Sequence, residues 1–151
     1  SKGVPMGSDL STAPIGRAPQ FLIEAVKDPL GANLDRVQVI KGWLDNDGQT
    51  HEKIYDVALS DNRNGGQPIE STVDLKNASY SNSVGSTQFV NIWTDPDFDP
   101  RINAFYYVRV LEIPTPRWTA YDEIKFQINM PEEIPRIVQD RAYTSAIWYT
   151  P

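Results

Sequence analysis

Apolar and polar residues alternate with a period of two along much of this chain, and the alternation marks a series of extended segments. The strongest is Ala104 to Ile113, where Tyr106, Val108 and Val110 share one parity and Phe105, Tyr107, Arg109 and Leu111 the other. No Gly or Pro interrupts it, and both parities are largely apolar, so it predicts a central strand covered on both sides over much of its length. Leu34 to Asp45 is a second strong strand, with Val37 and Val39 on one face and Arg36 and Gln38 on the other. Its pattern slips at Ile40-Lys41-Gly42, and glycine within a strand often marks a bulge.

Asp45-Asn46-Asp47-Gly48 predicts a hairpin turn, because these residues tolerate the positive φ angles such turns need. Lys53 to Ser60, with Tyr55, Val57 and Leu59 on its apolar parity, is expected to return antiparallel to the strand before the turn. Gln20 to Lys27 reads as a short first strand, and Thr72 to Ala78, carrying Val73 and Leu75, as a weak edge strand. Thr87 to Asp95 is apolar on both faces, and Arg141 to Thr150 closes the chain. Pro114 and Pro116 stop the organising strand, since proline cannot donate to a ladder. Trp118 to Ile128 fits a short helix or another extended piece equally well.

With almost no helical periodicity, these segments predict an all-β fold: an antiparallel β-sandwich of about seven strands, immunoglobulin- or fibronectin-like. A small β-barrel is the alternative. A tyrosine of the organising strand is a candidate for a tyrosine corner. Residues 1–19, rich in Gly, Pro, Ser and Ala, read as a linker or the edge of a preceding domain, and residues 20–151 as the sandwich.

Composition narrows the function more than the fold. The 151 residues suffice for one domain with a real core, and 40 % hydrophobic content excludes a disordered chain. A net charge of -6, with no dense Lys/Arg run along the sequence, argues against nucleic acid as a partner. No apolar run approaches the roughly 18 residues of a membrane span. The chain has no Cys, so neither disulfides nor thiolate metal sites are expected. The start at Ser1-Lys2-Gly3, without a Met, is what an excised or mature fragment would show.

Candidate chemistry is sparse. Asp95-Pro96-Asp97-Phe98-Asp99-Pro100 alternates carboxylates as calcium loops do, but it lacks the turn glycine and the distal Glu of an EF-hand, so an Asp-Pro turn is the expectation. His51 is the only histidine, too few for a zinc site, and no Gly-x-Ser-x-Gly elbow accompanies it. Glu132-Glu133 are adjacent in a loop, whereas glycosidase carboxylates are separated and opposed. No catalytic, cofactor or metal residue is assigned. Trp43, Trp93, Trp118 and Trp148 offer either core anchors or a stacking platform for sugar rings. Trp43, His51, Arg117, Trp118, Tyr121 and Asp122 are the candidates for an interdomain or ligand contact.

Several long stretches carry a family resemblance: Leu34 to Trp43, Gln49 to Ala58, Phe105 to Glu112, Arg117 to Asp122, Gln139 to Tyr143 and Ile147 to Tyr149. Together they resemble the C-terminal region of a bacterial family of unknown function, DUF family thirty-six-oh-four. Longer members look like secreted or periplasmic proteins, and their upstream portion resembles the PHP-type metal-dependent phosphoesterase fold, rich in His and Asp ligands. Those ligand motifs are not in this chain. The resemblance therefore implies a non-catalytic accessory domain whose partner is an upstream catalytic domain of the same polypeptide. It also implies a divalent metal in that upstream domain, with Gly3 to Leu10 as the junction and Asp9 reaching toward the upstream site. The other readings are a carbohydrate- or ligand-binding module using exposed aromatics, and an enzyme in its own right, for which no constellation is present.

Overall fold

The computed structural model describes residues 3–11, 13–14 and 16–151. In chain order its elements are β1 (Asp9–Ser11), β2 (Gln20–Val26), β3 (Leu34–Leu44), β4 (Thr50–Leu59), β5 (Gln88–Thr94) and β6 (Ala104–Glu112). β7 (Thr115–Pro116), α1 (Trp118–Phe126), β8 (Ile137–Val138), β9 (Arg141–Tyr143) and β10 (Ile147–Thr150) follow. The main sheet runs β1-β10-β6-β3-β4 in space, with β9 beside the C-terminal half of β6. Every pairing in it is antiparallel except β1 with β10, which is parallel. β2 and β5 form a separate antiparallel ribbon, and β7 and β8 a small one.

The β2–β5 ribbon covers one face of the main sheet. Phe21 and Ile23 of β2 interlock there with Val37 and Val39 of β3, Ala104 and Tyr106 of β6, and Tyr149 of β10. Burying each large side chain of this kind is worth about 1.5–3 kcal/mol. A smaller core of Ala32, Ile69 and Ile113 lies with Tyr80 and Val84 beneath the long connection before β5. Asn33 ties that connection down by donating from its side chain to the carbonyls of Asn82 and Val84.

The fold is mostly β, built of several sheets with one short helix, which fits the expected sandwich. The barrel alternative fails: among the described residues β1 and β4 end the main sheet without meeting. β6 is interior as expected, flanked by β3 on one side and by β10 and β9 on the other. β3 and β4 pair antiparallel around the predicted turn, where Gly48 adopts φ 76° and donates to the Asp45 carbonyl.

Two local expectations are revised, one left open is decided, and the segment before β2 gains a short strand. Thr72–Ala78 is not a strand: Asp74 and Ser79 close a turn on each other, and the Asp74 carboxylate accepts from Lys76 N and Asn77 Nδ2. Side-chain capping of that kind outweighs the short Val73/Leu75 alternation. The register shift of β3 against β4 falls between Val37 and Gln38, not at Gly42. Gly42 is needed for close approach instead, because the Phe105 ring lies where its Cβ would be. Trp118–Phe126 is a helix, ended by Gln127 in the left-handed region at φ 53° with its N–H on the Glu123 carbonyl. Within the stretch read as a linker or the edge of a preceding domain, β1 pairs with β10.

Candidate functional site

Three groups of chemically capable side chains stand out, and the first lies inside the fold. Lys41 shares the inward parity of Val37 and Val39, and its Nζ lies 2.6 Å from Asp95 Oδ2 with side-chain exposures of 2 and 0 %. The Tyr106 hydroxyl donates to the same oxygen at 2.7 Å, and Lys41 also donates to the Asp97 carbonyl at 2.8 Å. Outside this pair, the Asp97 carboxylate accepts from Lys53 at 2.5 Å and from the Tyr55 hydroxyl at 2.6 Å. Burial, then the hydrogen bond to Asp95, pushes the Tyr106 phenol well above its ordinary range; burial and Asp97 do the same to Tyr55. The Lys53 ammonium, followed by the Tyr55 hydroxyl, lowers the Asp97 carboxyl. Tyr106 thus spends its hydroxyl on a carboxylate. Among the described residues it is the Tyr149 hydroxyl that reaches a backbone carbonyl, donating to Pro100 O at 2.9 Å.

A second group sits at the N-terminal end of β6. Trp43 and His51 face each other across the β3–β4 ladder, their rings stacked at 5.1 Å and 17°. His51 Nε2 lies 2.6 Å from Asp45 Oδ2, while Asp45 Oδ1 accepts from the N–H groups of Asp47 and Gln49. The His51 contact, then the Gln49 N–H, lowers the Asp45 carboxyl. Phe105 and Trp148 pack at 5.2 Å, and a cavity of about 700 Å³ is lined by Trp43, His51, Glu52, Asn103, Phe105 and Trp148, among others.

The remaining sequence candidates are elsewhere. Arg117 precedes α1, with its guanidinium 5.6 Å from the Trp118 ring; Trp118 and Tyr121 are exposed and Asp122 half-buried. These four follow the C-terminal end of β6, whereas Trp43 is in register with Ala104 at its start. Among the described residues no hydrogen bond, ion pair or ring contact joins the two sets. The structure thus brings Trp43 and His51 together and places Arg117, Trp118, Tyr121 and Asp122 apart from them. Glu132 and Glu133 are exposed, as is Asp9 on β1.

The third group was not visible in the sequence. On the face of the main sheet turned away from the β2–β5 ribbon, Arg36 and Gln38 of β3 are in register with Leu111 and Arg109 of β6, and Leu111 with Arg141 of β9. Asp35 is held between Arg36, at 3.0 Å, and Arg63, with Gln139 donating as well. Arg109 donates from Nε and Nη2 to Gln38 Oε1 at 2.8 and 2.6 Å, and Gln38 Nε2 donates to Asp56 at 2.7 Å. A cavity of about 480 Å³ opens over them. The register of three strands gathers Arg36, Arg109 and Arg141, which are far apart along the chain.

The model of the family described as Protein of unknown function (DUF3604) matches residues 1–151. The chain belongs to that family. Neither the curated proteins nor the solved structures searched gave a match. The DUF3604 match spans β1 as well as the later strands, so the segment before β2 is part of the family's shared sequence. Among the described residues of this DUF3604 chain no group of three or more His, Asp or Glu converges to hold a metal ion, and no helix is long and apolar enough to cross a membrane.

Proposed function

We propose that this DUF3604 chain is a non-catalytic C-terminal accessory domain of a larger metal-dependent hydrolase, packed against the upstream catalytic part of the same polypeptide. In this reading the domain is an immunoglobulin- or fibronectin-like sandwich and the parent protein is periplasmic or secreted. The observation that carries it is the outer face of the β2–β5 ribbon. Leu22, Val26, Val90 and Ile92 are 61 to 75 % exposed there, with Leu22 directly opposite Ile92. Half of that exposed face is apolar, beside Gln20, Glu24, Gln88 and Thr94, and exposed apolar side chains grouped in this way mark an interaction surface. Trp118, Tyr121, Ile124 and Phe126 add exposed apolar surface on α1.

The experiment is to mix this chain with the separately produced upstream part and follow association by sedimentation. A stable complex is expected, and the double variant Leu22→Glu/Ile92→Glu should abolish it. No association, or association indifferent to that variant, defeats the reading.

A second reading, a carbohydrate- or ligand-binding module, is favoured by one observation: the cavity beside Trp43, His51, Phe105 and Trp148. Ring faces and polar edges meet there in the proportions of a small-ligand site. Intrinsic tryptophan fluorescence should then saturate during titration with a binding glycan, and a flat response across a broad glycan panel removes this reading.

A further inference from the structure

The arginine group on the outer face of the main sheet is out of electrostatic balance. Four arginines, Arg36, Arg63, Arg109 and Arg141, lie around two carboxylates, Asp35 and Asp56. Arg36 and Arg63 use both of these, at Asp35 and, for Arg36, also at 3.6 Å from Asp56. Among the described residues Arg109 and Arg141 meet no carboxylate within ion-pair distance. They are diagonal neighbours, since Arg109 is in register with Tyr143 and Leu111 with Arg141. Like charges placed so on a sheet repel each other. A chain of net charge -6 that concentrates unpaired cations at one cavity is not dispersing charge for solubility.

Arg109 is also held in place. Its Nε–H and one Nη2–H are fixed on the neutral amide oxygen of Gln38, whose own orientation is set by donation to Asp56. A guanidinium has five N–H donors, so the others stay free, and a neutral acceptor leaves its charge uncompensated. Ile69, Leu111 and Pro114 give the cavity apolar walls, which strengthen any charge interaction inside it. Half-buried, immobilised and uncompensated, Arg109 is set up for an anion that comes from outside the chain.

We propose that this cavity is an oxyanion-binding site, with Arg109 as the fixed anchor, Arg141 as the mobile second donor, and Gln38 and Asp56 as positioning residues. The ligand class is a compact group with two or more acceptor oxygens: sulfate, phosphate or carboxylate, free or as the charged end of a larger molecule. Fork-like pairing of guanidinium with such groups is short, directional and charge-assisted. This site is separate from the apolar ribbon face and stands or falls independently of the accessory-domain reading.

The test is calorimetric titration of the 151-residue chain with sodium sulfate, phosphate and acetate in separate arms, against a chloride control of equal ionic strength. At least one oxyanion should bind saturably, and Arg109→Gln should weaken it roughly tenfold or more. Arg141→Gln, which removes an exposed side chain that makes no hydrogen bond among the described residues, should weaken it as well and guards against misfolding of the first variant. Preference among the arms identifies the ligand as tetrahedral or planar. Saturable binding lost in both variants supports the site. Absence of saturation in every arm, or binding that both variants retain, overturns it.

Discussion

Two charge clusters sit on opposite faces of the same β3–β6 pair, and they are built to different rules. On the inward face, one cation meets one anion: Lys41 and Asp95 are buried together, and Tyr106 and the Asp97 carbonyl take up remaining hydrogen-bonding capacity. On the outward face, arginines exceed carboxylates, and Arg109 leans on a neutral amide. A closed and balanced cluster holds the β5–β6 connection to the sheet. An open and unbalanced one is left waiting for a counter-charge. The contrast ties burial to role: at Lys41 and Asp95, where water is excluded, the charges cancel, and at half-buried Arg109 and exposed Arg141 they do not.

The largest expected effect breaks the closed cluster. Asp95→Ala leaves Lys41 buried without its partner and should cost about 3–5 kcal/mol of unfolding free energy. The double change Lys41→Met/Asp95→Leu should recover much of that loss, because two apolar side chains need no counter-charge. Urea denaturation of the three proteins checks this, and a double variant as unstable as the single one would show the network matters for more than charge pairing. On the open face, Arg109→Gln without added anion should change stability by no more than about 1 kcal/mol, since relief of repulsion offsets the hydrogen bonds lost to Gln38.

The smallest effect is the acid response of the exposed carboxylates. Arg101, first through its side chain and then its backbone N–H, draws the Asp99 carboxyl down to about 2 from 3.8, and Asp45 and Asp97 are lowered as well. A carboxyl lowered in the folded state adds stability above its unfolded value and loses it as the pH falls through the folded one. Thermal stability should therefore decline from about pH 4 toward pH 2, and Asp99→Asn should flatten part of that decline. Glu112 runs the other way: burial raises its carboxyl, so its contribution is present in acid and is lost as the pH rises through the raised value. Added salt should weaken the Asp97–Lys53 part of the acid response, because that pair is half exposed.

Much of the scaffold was legible in the chain, because it follows from local rules. Period-two alternation places β3, β4 and β6, and Asp45 to Gly48 marks the turn between the first two. Pairing partners far along the chain are not encoded that way: nothing in the alternation of Asp9–Ser11 or Ile147–Thr150 tells that these strands lie side by side and parallel. The charge clusters escape for the same reason. Lys41 and Asp95 are 54 residues apart, and the acidic run after β5 reads as a turn, which it is only in part. One signal was present: a lysine on the apolar parity of Val37 and Val39 must find a buried partner. The absence of a dense Lys/Arg run was accurate for the sequence and misleading for the surface, because strand register collects Arg36, Arg109 and Arg141 on one face.

Urea unfolding of the wild-type chain, Asp95→Asn and Arg109→Gln, each across a series of concentrations of the oxyanion that binds most tightly in the calorimetric arms, at constant ionic strength, tests the division between the two clusters most directly. Asp95→Asn should start from a lower midpoint yet keep the full saturable rise, while Arg109→Gln should start close to the wild type and keep only the non-saturating rise that such salts give any folded protein. An equal saturable response in all three proteins, or one lost in Asp95→Asn and kept in Arg109→Gln, would contradict the account.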